Sequence, residues 1–374
     1  QAVEMAQSHV ESYAKSYTPA ASLQSWLGDA QHQQLEAFKT AGFPTTRPEK
    51  WRFTNIAPLA RQEFSAPQKR LLNSAVVGTE KLVKGATTLV FVDGILHPKL
   101  SELAHLPSGV RVVPLSEGTH LLTAEQTEQV KNYGAPLEAL NAGFLTDGVI
   151  VQVTKNAEPN TPLEFLFLTT GANEATHSRT FVALEEGASL TLFETFASTQ
   201  TAENSWHNNV AHVCLGQNST LKLVRTQNMA KTSFFTSSVH ANISRDATFD
   251  AFVANLGSKI ARTHVTSHLL EQGSHFELGG FALAGLGQHH NVTTTTHHTV
   301  QHTTANQCVR NVVAGNGQRG GHGVFLGQYL VGAEALYTNA NMLCQNLLLG
   351  ARAKADYKPE LEIFADDVKC SHGA

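Results

Sequence analysis

Two short stretches hold the residues best suited to chemistry. The first is KPELEIFADDVKCSHGA, residues 358–374. Cys370 and His372 stand two apart, and on a strand residues i and i+2 share one face. A thiolate and an imidazole would then point the same way, as a shared metal site needs, and sulfur and nitrogen donors suit iron and zinc. Lys369 beside the thiol would favour its ionised form. The structural alternative is a buried cysteine and a surface histidine in a final strand. Asp366–Asp367 reads as a turn leading into that strand, with an acid/base pair or a hard-cation site as the other option.

The second stretch is QHHNVTTTTHHTVQH, residues 288–302, holding His289, His290, His297, His298 and His302, with Cys308 nearby. Close histidines can chelate, but no Asp or Glu lies within the run to orient them. Its polar, Thr-rich texture predicts an exposed strand pair or loop. GNGQRG (315–320) matches G-x-G-x-x-G, yet strand-like GHGVFLGQYLV follows it where a dinucleotide site needs a helix. It reads as a turn. No G-x-S-x-G elbow and no H-E-x-x-H occurs. Cys214, Cys308, Cys344 and Cys370 form no C-x-x-C pair, so reduced thiols in a cytosolic protein are expected.

Residues 1–60 have helical spacing, with Leu23, Trp26, Leu27, Leu35, Phe38 and Phe43 as the apolar face. Gly42 and Pro44 end a helix. Trp51 and Phe53 in PTTRPEKWRFTNI (44–56) are expected to anchor onto the rest of the fold. TTLVFVD (88 onward) is strand-like, and 121–142 is helical again. This places a mainly helical N-terminal domain at 1–145 and a β domain at 146–374.

Beyond 145 one pattern recurs: a polar or Gly turn, a small residue, then alternating apolar positions. It appears in EEGASLTLFE, LGQNSTLKLV, SRDATFDAFV and LEQGSHFELG. With Leu190, Leu221, Phe249 and Phe276 equivalent, the steps are 31, 28 and 27 residues. Phe325 and Ala353 extend the series, leaving 49 residues after Phe276 for two shorter turns. A strand-only repeat of this length predicts a solenoid of stacked coils. An antiparallel sandwich would show turns every 8–12 residues instead.

The 374 residues are 41% hydrophobic and 16% charged, with net charge −4. This is a folded chain without the basic face a nucleic-acid partner requires. No signal peptide or membrane-length apolar run occurs in the sequence as given. The first residue is not Met, and the chain reads as incomplete at both ends.

PTTRPEKWRFTN resembles the N-terminal signature of the SufB/SufD family of iron–sulfur cluster assembly proteins. NLLLGARAKADYKPELEIFADDVKCSHGA resembles the C-terminal core of its SufD branch; the SufB counterpart leads into Glu-His-Glu-Ala and lacks Asp-Asp-Val-Lys-Cys. Looser likeness in between extends the resemblance over most of 40–374. It implies an N-terminal helical domain, a right-handed parallel β-helix and a C-terminal helical domain. It also implies a non-catalytic scaffold that pairs with SufB, each subunit carrying a SufC ATPase. Candidate cluster residues map onto His372, with Cys370 beside it. The cargo would be iron or a transient iron–sulfur cluster shared with the partner, with nothing held tightly by the isolated chain. A homodimer is one option when the chain is alone, with a monomer as the other, and a cytoplasmic setting is expected. SufC docks on C-terminal helices, which this chain, stopping at Ala374, does not contain.

Two other functions fit a β-helix or the histidines. A polysaccharide-active enzyme would need several Asp, Arg or Lys on one coil face, where these repeats place Thr, Ser, Asn and His. A metal-binding protein would use 289–302. A β-helix that stops without a cap exposes unpaired backbone groups, which invites edge pairing.

Overall fold

The structure is a computed structural model that describes residues 1–132 and 134–374. Helices Ala2–Ala14, Ala21–Leu27 and Asp29–Ala41 open the chain. Gly42, with φ of 80°, ends the third. Helix Ala124–Lys131 begins with a reciprocal Thr123–Gln126 cap, and helix Pro136–Gly143 begins on a proline, which has no N–H to leave unpaired.

The remaining strands wind into a parallel β-helix with about eight turns of coil. From Asp147–Val153 onward, successive strands alternate between a nine-stranded and a ten-stranded sheet. Strand pairings along the coil are parallel; among the described strands, antiparallel pairs are those where Ile95–Leu96 joins Thr87–Val92 and Val110–Pro114 joins Asp147–Val153.

The repeat read from the sequence is the inward column of the ten-stranded sheet. Leu190 pairs with Leu221, Leu221 with Phe249, and Phe249 with Phe276. The column then runs through Ala305 and Ala340 to Cys370. Phe325 and Ala353 are not its continuation. Phe325 lies in the nine-stranded sheet opposite Tyr357, and Ala353 is in a turn. The error has a physical source: the true column switches to alanine, so its apolar signal fades after Phe276.

One corner of the coil is equally regular. Gly187, Asn218, Asp246, Gly273, His302, Tyr337 and Asp367 each take a positive φ there. The amides of all but Asp367 bond to the carbonyls of the next coil, as in Asp246 N–H to Gln272 O at 3.2 Å and Tyr337 N–H to Asp367 O at 3.0 Å. Asp366–Asp367 is therefore a coil corner, as its turn reading predicted.

The helical segment lies against the outer face of the nine-stranded sheet. Tyr13 donates to the Ala175 carbonyl at 2.7 Å, and Asn141 donates to the Ser178 carbonyl at 2.8 Å. Trp51 does anchor the signature segment, with the Arg262 guanidinium 3.8 Å from its ring centre.

Candidate functional site

The last coil consists of Lys354–Ile363 and Lys369–Gly373. Each ends its sheet: Lys354–Ile363 pairs only with His322–Val331, and Lys369–Gly373 only with Asn339–Leu348. Both outer edges thus carry backbone donors and acceptors with no strand beside them.

Cys370 and His372 share the inward face of the final strand. Cys370 tops the column of Leu190, and His372 tops the neighbouring column of Leu192, Leu223, Ala251, Leu278, Gln307 and Met342. In lower coils those positions are buried. Here, among the described residues, Cys370 is half-buried and His372 exposed. The inward face of a coil becomes the top surface at its end. Cys370 packs against the core alongside Tyr357 and Leu361.

The thiol is not primed by its neighbour. Burial pushes Cys370 up from the usual thiol range, partly opposed by a backbone hydrogen bond at Ala340. Lys369 sits on the opposite face of the strand and does not hold the thiol ionised, because side chains alternate faces. Cys344 lies deeper, and burial raises it to about 11. Cys308 projects from the outer face, between Gly279 and Leu343. Among the described residues no three of His, Cys, Asp and Glu converge on one point that could hold a metal. Cys370 and His372 are two donors, and a cluster site needs more.

The histidine stretch is not exposed. It forms strand His289–His298, buried along most of its length. Adjacent histidines face opposite ways. His290 and His298 point into the coil: His290 donates Nε2–H to the Gly257 carbonyl at 2.7 Å, and His298 Nδ1 shares a hydrogen bond with the Thr303 hydroxyl at 2.7 Å. His289 and His297 point outward, His289 to Thr54 at 2.8 Å and His297 stacked on His268 with ring centres 4.5 Å apart. His302 is at the corner, stacked on Tyr337. The threonines that made the stretch look exposed satisfy buried partners: Gln307 bonds both Thr294 and Thr296 inside the coil. GNGQRG is a tight turn closed by a Gly315–Gly320 bridge. A Cβ at Gly320 would run into the Arg352 carbonyl, which accounts for glycine there without a nucleotide.

Comparison with known families identifies the family of the chain. A family model described as "SUF system FeS cluster assembly, SufBD core domain" matches residues 167–374, and one described as "SufBD protein N-terminal region" matches residues 5–165. The chain belongs to the SufB/SufD family. An iron–sulfur cluster assembly SufBD family protein of Synechocystis is 29% identical over 352 residues, covering 88% of this chain and 75% of that protein. The iron–sulfur cluster assembly protein SufD of Escherichia coli is 27% identical, covering 91% and 78%. The chloroplastic protein ABCI7 of Arabidopsis thaliana is 26% identical, covering 96% and 76%.

In this SufB/SufD family member the open end has parts that the sequence reading passed over. Leu347, Leu348, Leu349, Ile363 and Phe364 are all exposed around the last coil. Exposed apolar residues beside free strand edges mark a surface that another chain can cover. The signal in the sequence was NLLLG, three leucines running into a polar turn, where alternation should have broken them up. Among the described residues no helix is long and apolar enough to cross a membrane.

Proposed function

We propose that this chain is the SufD-type, non-catalytic subunit of a SUF assembly complex, acting at its open end. The observation that carries the reading is the placement of Cys370 and His372 side by side on the uncovered last strand. A SufB-type paralogue would pair with the free edges of Lys354–Ile363 and Lys369–Gly373 and cover the exposed leucines. A SufC-type ATPase would bind through sequence that follows Ala374 in such subunits. Without that paralogue, a second copy of the chain could occupy the same edges.

Within the joint, His372 would ligate iron, and Cys370 would ligate iron or carry sulfur. Iron or a nascent iron–sulfur cluster is here a cargo. Two donors from this chain leave the remaining coordination positions to the partner, and an incomplete set releases its cargo more readily than a closed four-cysteine site. The buried thiol is consistent with this division, because ionisation would come with iron binding and not precede it.

The test is co-expression with SufB-type and SufC-type subunits and assay of iron and acid-labile sulfide per complex. His372→Ala should lower both at least fivefold while the complex still assembles. Unchanged yield would remove His372 from the mechanism.

A further inference from the structure

A cavity of about 510 Å³ lies away from Cys370 and His372, where Pro44–Trp51 arches over the outer face of the nine-stranded sheet. The start of helix Pro136–Gly143 forms its other wall. Phe43, Pro44, Pro136 and Leu137 make the walls largely apolar, and Arg262 and Lys50 supply positive charge. This is the size and lining of a small-molecule site.

Arg262 is the anomaly. Three arginines are almost fully buried: Arg179 at 2%, Arg225 at 1% and Arg262 at 5% exposure. Arg225 pairs with Glu194 at 3.1 Å and also reaches Ser237 at 2.7 Å. Arg179 has no carboxylate but meets three acceptors: Asn141 at 3.0 Å, His212 at 3.0 Å and the Glu138 carbonyl at 3.3 Å. Arg262, among the described residues, meets one. Its Nη2 donates to the Lys50 carbonyl at 3.1 Å, and its buried Nε has no partner. No carboxylate lies within 4.0 Å; Glu138, the one whose charge it feels, is committed to His240 at 2.8 Å. A buried cation with neither counter-charge nor full hydrogen bonding is costly to the fold.

The surroundings suit an anion. Trp51 stacks on the guanidinium and fixes its plane, leaving N–H edges for a forked acceptor. The helix beginning at Pro136 starts in the cavity wall, and the positive end of a helix dipole favours negative charge. Glu49 also lines the cavity, but it is paired with Lys358.

We propose that this cavity binds a small organic anion, with a carboxylate or phosphate head held by Arg262 and an apolar ring body against the proline-lined walls. The pairing of a buried cation with apolar walls distinguishes this from a site for inorganic phosphate.

Titration calorimetry of the purified chain with 2-naphthoate, 2-naphthyl phosphate, neutral 2-naphthamide and inorganic phosphate tests it. At least one naphthyl anion should bind tenfold or more tighter than 2-naphthamide and than inorganic phosphate, and which of the two binds better identifies the head. Arg262→Met should abolish that preference, with circular dichroism confirming the fold. If that variant does not fold, Arg262→Lys, which keeps the charge and loses the fork, should bind the anion at least fivefold more weakly. No binding to the unaltered chain, equal binding of anion and amide, equal binding of inorganic phosphate, or undiminished affinity in the variant that folds would each overturn the proposal.

Discussion

The two ends of the coil differ among the described residues. At the first end the chain blunts its own edges: Ile95–Leu96 and Val110–Pro114 lie antiparallel on the outermost strands. Leu96, Leu103, Leu106 and Val110 then plug the core between the sheets. At the other end, among the described residues, Lys354–Ile363 and Lys369–Gly373 are the outermost strands, and Leu347, Leu348, Leu349 and Phe364 are exposed. A β-helix can be stopped by its own chain, and here it is at one end. The other end carries the edges to which the proposed partner is assigned, and there Cys370 and His372 lie at or near the surface, whereas the other cysteine and histidine two apart, His212 and Cys214, lie in an interior coil.

The largest contrast should appear in acid, which attacks the closed body. Burial holds His9 at about 4, His207 at about 3, and His290 and His298 at about 4. The unfolded chain takes up those protons near pH 6.5. Their contribution is therefore complete above pH 6.5 and is lost as pH falls toward 4 and then 3. Each contributes a slope of up to about 1.4 kcal/mol per pH unit in that window. Denaturant titrations should show stability falling steeply between pH 6.5 and 4, and His290→Gln should flatten the slope by about one proton if the variant folds. A flat profile would mean that these rings are not buried neutral.

The inward column offers the next test, because one position type spans both regions. Phe249→Ala, mid-column and fully buried, should cost about 3–5 kcal/mol. Cys370→Ala, at the half-covered top of the same column, should cost less than about 1 kcal/mol, since a small residue with little cavity behind it is removed. Equal costs would show that the last coil is as enclosed as the middle. At the open end alone, Leu347→Glu with Phe364→Glu should weaken chain–chain association at least tenfold by analytical ultracentrifugation while leaving the melting temperature nearly unchanged. The smallest effect is on thiol reactivity: at neutral pH Cys370 should react with iodoacetamide faster than Cys344, whose thiol sits at about 11, as read by mass spectrometry.

The sequence carried the coil where it was apolar. Leu190 to Phe276 could be aligned because four large inward residues repeat at nearly one spacing. Ala305, Ala340 and Cys370 continue the column invisibly, since small residues also occur in turns. The histidine stretch misled for the opposite reason. Threonine and histidine look solvated in a list, but a coil interior with Gln307 in it can satisfy them. The pairing of Cys370 with His372 needed only the two-residue period of a strand. That their shared face is the coil's inward one required the register. The Arg262 cavity was not legible at all, because it joins residues about 200 positions apart.

The central claim is that the uncovered last coil receives a second polypeptide around Cys370 and His372. Hydrogen–deuterium exchange on the chain alone and with a SufB-type partner tests it most directly. The account predicts fast amide exchange in 354–363 and 369–373 for the chain by itself, and strong protection of both segments in the complex. Protection confined to the opposite end of the coil or to the helical segment, with these two strands unchanged, would contradict it.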